Sequence, residues 1–249
     1  MIEFKSYKGF WDFAESIRRE WRFVRSAEQQ EFLSAVLDTS KNRREQIAEG
    51  SVVCRAQVGN DWRSDGDEDN SCPFPPERMK PLAYQAAEGL ANPKGMPYLY
   101  TATDQDTAMA EVRPWAGALV SVAELQIQRE LTIVNCISPD TRLIARGAEP
   151  DAPGRERAVW QDIDRAFSRP VTPNEHIADY VPTQVLAEFF RSQGLDGIGY
   201  RSSVGQGSNI VFFDLNVADV VACGLFQVRS VKFTSIEAAN PYVVRKSHP

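Results

Sequence analysis

Histidine is almost missing from this chain: of 249 residues, only His176 and His248 carry an imidazole. A His-rich zinc centre and a mechanism using several histidines are thereby disfavoured. Cysteine is scarce too. Cys54, Cys72, Cys136 and Cys223 show no metal-ligand spacing and are too few for a disulfide framework. The reading is a reduced, cytoplasmic protein. No apolar stretch, Ile210–Leu215 included, approaches the roughly 18–20 residues of a membrane span. The opening Met-Ile-Glu-Phe-Lys has no leader pattern. A Gly-x-Ser-x-Gly elbow, a phosphate loop and a dinucleotide fingerprint are all lacking. Positive charge is in deficit: 28 Lys and Arg against 34 Asp and Glu leave a net charge of −6. Without a positive field, direct nucleic-acid binding is not expected.

What is present fits one large domain, or a domain with an appendage. Phe10, Phe13, Ile17, Trp21 and Val24 recur at steps of three and four, which predicts one apolar helical stripe. Ser26 with Gln29 forms a capping box for a second helix carrying Phe32, Leu33, Val36 and Leu37. Arg18, Arg19, Arg22 and Arg25 lie mostly off the stripe, as a solvated face or a partner-binding surface. Residues 51–58 read as a strand, and 59–77 as a mobile acidic loop without calcium-loop register. Further strands are expected at 97–103, 117–127, 131–137, 196–201, 208–214, 217–223 and 225–233. Helices are expected after Asp104, over 155–168, and over 183–193 between Pro182 and Gly194.

Several polar residues stand where apolar ones would be ordinary. Arg55 follows Val-Val-Cys, Tyr98 and Tyr100 alternate along a short strand, and Glu111 interrupts Ala-Met-Ala-Glu-Val. A carboxylate in such a run is costly to bury unless paired, and Arg55 or Arg113 could pair it. Gly205-Gln-Gly-Ser-Asn is either a hairpin loop or a weak phosphate cradle. Arg201, Ser202, Ser203 and Asn209 gather at strand ends, where donors suit sugar or phosphate oxygens, although Ser and Asn also favour ordinary turns.

Five blocks, in this order, resemble the RES domain: Gly89-Leu-Ala-Asn-Pro-Lys-Gly-Met-Pro-Tyr-Leu-Tyr, Asp106-Thr-Ala-Met-Ala-Glu-Val-Arg-Pro, Tyr180-Val-Pro-Thr-Gln, Asp196-Gly-Ile-Gly-Tyr-Arg-Ser-Ser and Asn209-Ile-Val-Phe-Phe. The resemblance runs from about residue 51 to about 215. It implies an α+β fold with a mixed, mainly antiparallel sheet, related to ADP-ribosyltransferases, here with N-terminal helices. The expected division is a helical region over 1–50, the RES-like domain over 51–215, and strands completing the core over 216–249.

The resemblance also implies NAD as substrate, cleaved by phosphorolysis or hydrolysis, or used to transfer ADP-ribose to a protein. A binding module that has lost turnover is the non-enzymatic alternative. No bound cofactor or metal is implied; inorganic phosphate could be a co-substrate. A cognate antitoxin is the implied partner, a homo-oligomer is open, and no membrane is involved. Carried over, Arg55, Tyr100, Glu111 and Ser202 are the catalytic set. Leu90, Asn92, Arg113, Gln184, Arg201, Ser203 and Asn209 are expected to contact the substrate. One departure stands out: many members have Arg after the glycine matching Gly89, where this chain has Leu90. On that reading Leu90→Arg should raise activity.

Overall fold

The computed structural model describes residues 2–65, 68–82, 85–139, 149–169 and 177–235. His176 and His248 lie outside the described residues. The chain begins with helices α1 (Gly9–Arg19) and α2 (Ala27–Ser40), then strand β1 (Arg44–Ile47). Strands β2 (Val52–Val58), β3 (Asp61–Asp65), β4 (Glu68–Cys72) and β5 (Leu99–Ala102) lead to helix α3 (Gln105–Glu111). Strands β6 (Leu119–Ile127) and β7 (Leu131–Asn135) precede helices α4 (Ala152–Ser168) and α5 (Val181–Ser192). Strands β8 (Gly197–Arg201), β9 (Ser208–Phe212) and β10 (Ala218–Gln227) follow.

The fold is α+β. Eight strands form one sheet in the order β1-β7-β8-β9-β5-β2-β6-β10. Only β7 and β8 run parallel; every other neighbouring pair is antiparallel. The sheet is split at its middle. β2 and β5 share a single registered pair, Cys54 with Ala102, while β2 matches β6 over seven pairs.

Helices α1, α2, α4 and α5 pack on β7, β8 and β9 around Phe13, Ile17, Val36, Trp160, Phe190 and Ile198. The opposite face carries Leu99, Leu125, Ile133 and Phe212, covered in part by Phe74 and Met79. A smaller cluster seats α3 on the sheet through Ala108 against Cys54, Ala102 and Val122.

Local chemistry accounts for most element ends. The Ser26–Gln29 capping box forms in both directions. Asp104 caps α3 through the Thr107 N–H at 2.8 Å. Pro182 occupies the first turn of α5, and Gly194 follows its end at φ +76°.

Four expectations need correction. The α1 stripe stops at Ile17: the helix ends at Arg19, leaving Trp21 and Val24 exposed, because Phe10, Phe13, Ala14 and Ile17 already fill the contact with the core. The acidic stretch after residue 59 is largely a hairpin, with Asp61–Asp65 paired to Glu68–Cys72; paired backbone groups outweigh the loop-like composition there. Residues 44–47, read as helical, pair with β7. The two strands expected at 217–223 and 225–233 are one strand, β10, bulged between Val220 and Ala222 and carried straight through Gly224.

Candidate active site

The split between β2 and β5 opens into a cleft of about 490 Å³. Arg55, Gln57, Tyr100, Glu111, Tyr200 and Asn209 are its polar walls, with Cys54, Ala56, Val58, Ala108 and Val112 between them. This size and this mixture of apolar wall with few polar groups suit a small organic ligand.

Arg55 comes from β2. Its Nη1 donates to the Tyr100 carbonyl at 2.8 Å, a group that the diverging strands leave available. Its Nε is buried and meets no acceptor. No carboxylate among the described residues pairs with it, so of the two partners considered for Glu111, Arg55 is not the one. Burial therefore pulls the guanidinium below its ordinary pKa. A half-buried cation with a shielded, unpartnered Nε and no counter-ion favours an anionic ligand.

Glu111 is the last residue of α3, and its side chain is open rather than buried. One carboxylate oxygen, Oε1, accepts from Ser202 Oγ at 2.7 Å and from Asn209 Nδ2 at 2.6 Å. Ser202 is fixed in turn, its Oγ accepting from the N–H groups of Val204 and Gly205. Three elements thus hold one carboxylate: α3, the end of β8 and the start of β9.

The β8–β9 connection is the hairpin loop of the two readings, not a phosphate cradle. The N–H groups of its glycine end are already used: Gly205 donates to Ser202 Oγ at 2.8 Å, Gly207 to Thr107 Oγ1 at 2.9 Å and Ser208 to Thr103 Oγ1 at 3.1 Å. A Cβ at Gly207 would collide with the Asp104 carboxylate, and one at Gly205 would press on Thr107. These glycines let the loop lie on the first turn of α3, which fixes Glu111 against Ser202.

Tyr100 faces the cleft, but its hydroxyl is engaged. It donates to Asn92 Oδ1 at 2.7 Å and accepts from the Ala91 N–H at 2.9 Å. Burial pushes its pKa well up, so the phenol stays neutral and offers its ring rather than a proton.

Asn92 and Gln184, expected to contact the ligand, instead build the wall. Asn92 is buried and also donates to the carbonyls of Ala87 and Pro93. Gln184 Nε2 donates to Gly89 O, Asn92 O and Glu88 Oε1. Thr183 Oγ1 donates to Leu90 O at 2.6 Å. The Tyr-Val-Pro-Thr-Gln block therefore clamps the 88–92 segment, and that segment steadies Tyr100.

Four other expected residues are not brought to the cleft wall. Leu90 lines a separate groove with Phe10, Trp11, Arg18 and Tyr180. Arg201 is turned toward α4, donating to Ser138 O at 2.8 Å and to the buried Asp164 at 3.2 Å. Ser203 is exposed in the hairpin loop. Arg113 sits just past α3 at φ 47°, exposed, outside the lining set.

Tyr200 and Gln57 line the cleft and were not singled out from sequence. Strand alternation gave the signal for Tyr200, since it shares a side with Ser202 two residues on. Burial and the neighbouring Tyr100 and Glu111 raise its pKa. Among the described residues, no group of three or more His, Cys, Asp or Glu could hold a metal. None of the helices among them is long and apolar enough to cross a membrane.

Comparison with known proteins adds the following. A family model described as the RES domain matches residues 62–234. That span includes Tyr100, Glu111, Ser202 and Asn209, and begins after Arg55. No curated protein matches the chain. A solved chain from the M. tuberculosis MbcT–MbcA toxin–antitoxin complex aligns with 13% identity and a TM-score of 0.42, covering 77% of this chain and 92% of that one.

Proposed function

The chain belongs to the RES-domain family, and on that premise we propose that it is an NAD-consuming enzyme of the toxin type, cleaving the nicotinamide–ribose bond. One observation carries the reading. A half-buried guanidinium with no carboxylate partner among the described residues, Arg55, shares a cleft with a carboxylate, Glu111, whose orientation Ser202 and Asn209 fix. A dinucleotide offers the matching pair: a pyrophosphate for the cation and a ribose that becomes cationic for the carboxylate.

In this reaction the C1′–N bond breaks and its electron pair stays on the nicotinamide nitrogen, which leaves neutral. The ribose passes through an oxocarbenium-like state, as in glycoside hydrolysis. Glu111 lies where its negative charge stabilises that state, and it needs no reorganisation because its two donors already hold it. Tyr100 and Tyr200 supply aromatic wall for a flat ring. Arg55 takes a pyrophosphate oxygen through its unused N–H groups.

Water is the acceptor we favour. Its oxygen bonds to C1′ and it releases a proton, giving free ADP-ribose. Arg55 is the single cation among the described lining residues, and an incoming phosphate would add negative charge beside the pyrophosphate. No cofactor is needed for this chemistry. A partner protein that covers the cleft, in the manner of an antitoxin, is part of the same proposal.

The test is incubation of the purified chain with NAD, with and without inorganic phosphate. Nicotinamide release in both buffers, with ADP-ribose as product and no turnover by Glu111→Gln, is the expected result. A phosphate requirement would replace water by phosphate as acceptor. Label passing from NAD to a protein in a lysate would indicate ADP-ribose transfer. Binding of NAD without any cleavage would leave a non-catalytic module.

A further inference from the structure

The two edges of the eight-stranded sheet are built differently. β1 is a four-residue strand beginning Arg44-Glu45, short and charged, as edges that avoid pairing usually are. β10 is ten residues long, and Asp219 is its single charged residue. Its inner edge pairs with β6, and among the described residues no strand pairs with its outer edge. The bulge protects only its first part; from Ala222 to Gln227 the strand is regular and uncharged. Val221 is 53% exposed at the bulge, and Ala222 is exposed beside it.

We propose that the outer edge of β10 is a self-association surface, pairing antiparallel with β10 of a second copy of this chain across a two-fold axis. A second copy is the occupant because the strand is complementary to itself in that arrangement. An antiparallel two-fold lays the acidic end of one strand, Asp219, toward the basic end of the other, where exposed Arg229 follows the strand. No charges meet along the uncharged middle, and Asp219, although Lys80 lies 2.9 Å away, keeps 63% of its side chain exposed for a second cation. Isologous contacts of this kind close after two copies and leave no free β10 edge. The cleft lies on β2 and β5, on the far side of β6, and stays open in the pair.

The inference does not depend on the proposed activity, and its test does not use NAD. Light scattering on the full chain across a concentration series should give a mass twice that of one chain at the high end. Val221→Lys and, separately, Ala222→Lys place a new cation near the basic end, Arg229, of the other strand and should return the mass to one chain, with the circular dichroism of the parent. A second measurement uses the unaltered protein: amide exchange in residues 219–227 should slow as concentration rises, with the β1 amides unchanged. A single-chain mass throughout the series would overturn the proposal. So would a dimer that both lysine variants leave intact, or concentration-dependent protection confined to another segment.

Discussion

A guanidinium partly shielded from water without a carboxylate weakens the fold that carries it, and half-buried Arg55 is in that position. An apolar side chain there loses the bond to the Tyr100 carbonyl but avoids the cost of desolvating an unpaired charge. Arg55→Leu should therefore keep or raise the melting temperature while abolishing NAD turnover; calorimetry and a nicotinamide assay read the two effects separately. A large loss of stability would mean that Arg55 is a structural residue rather than a ligand contact. Leu90 is the opposite case. The resemblance read in the sequence implies that Leu90→Arg should restore a missing cation, but the side chain lines a separate groove in which Arg18 and Arg165 already hold the carboxylates of Asp179 and Asp162 and Arg169 adds a further cation. The expected outcome is no gain in turnover and a lower melting temperature. A rise in activity would show that residue 90 can reach the cleft. Residue type along the sequence pointed to Arg55, Tyr100, Glu111, Ser202 and Asn209, because each is polar in an apolar setting or at a strand end. It could not separate ligand contacts from wall-builders. Asn92 and Gln184 carry the same amide, and so does Asn209, yet only Asn209 holds the carboxylate. The difference lies in which carbonyls or carboxylate the fold brings within reach.

At the scale of elements, Glu111 depends on where α3 begins. Asp104 caps the helix through the Thr107 N–H and also accepts from Thr107 Oγ1, and these bonds hold its carboxyl below the usual aspartate range. Asp104→Ala should cost about 0.5–2 kcal/mol, as helix caps do. The sign with pH follows from the depressed pKa. The cap's contribution is present above the unfolded-state value near 3.8 and is lost as pH falls through the lower folded-state value. Urea melts of parent and variant should therefore differ at neutral pH and converge in acid. A difference that persists below both values would rule out capping as the cause. The clamp at the start of α5 is a second element-scale device. Gln184→Leu leaves the Gly89 carbonyl without that donor and the Asn92 carbonyl with the Gly89 N–H alone, and a buried unsatisfied group costs about 1–3 kcal/mol. With the 88–92 segment loosened, Tyr100 loses its fixed partners, so KM for NAD should rise more than kcat falls. Equal loss in both, or none, would remove the clamp from the account of the site. Helix caps and turn residues were legible in sequence because they act over three or four residues. The β3–β4 hairpin and the long β10 were not, since strand pairing depends on partners that composition does not name.

At the scale of the molecule, the N-terminal helices are not an ornament on a finished domain. Phe10, Phe13, Ala14 and Ile17 of α1 share one cluster with Trp160 of α4 and Phe190 of α5. Removing residues 1–26 should expose that cluster and leave no soluble folded protein, as judged by circular dichroism and gel filtration. A stable, cooperative fragment would instead make the helices a separable appendage. The exposed Trp21 and Phe23 that follow α1 take no part in this core. The amino-acid sequence by itself determined the helix caps, the lack of metal and membrane motifs, and the resemblance that implied the α+β class and named the cleft residues. These are properties of residue type and of spacing over a few positions. The tertiary structure alone decided that β2 and β5 part after one residue pair, that Arg55 is left in the gap without a counter-ion, and that Arg201 is spent on Asp164 while Ser202 beside it holds Glu111. The reason is physical: a charge acquires its role from the partners within hydrogen-bonding distance, and here those partners are 37 to 98 positions away in the chain.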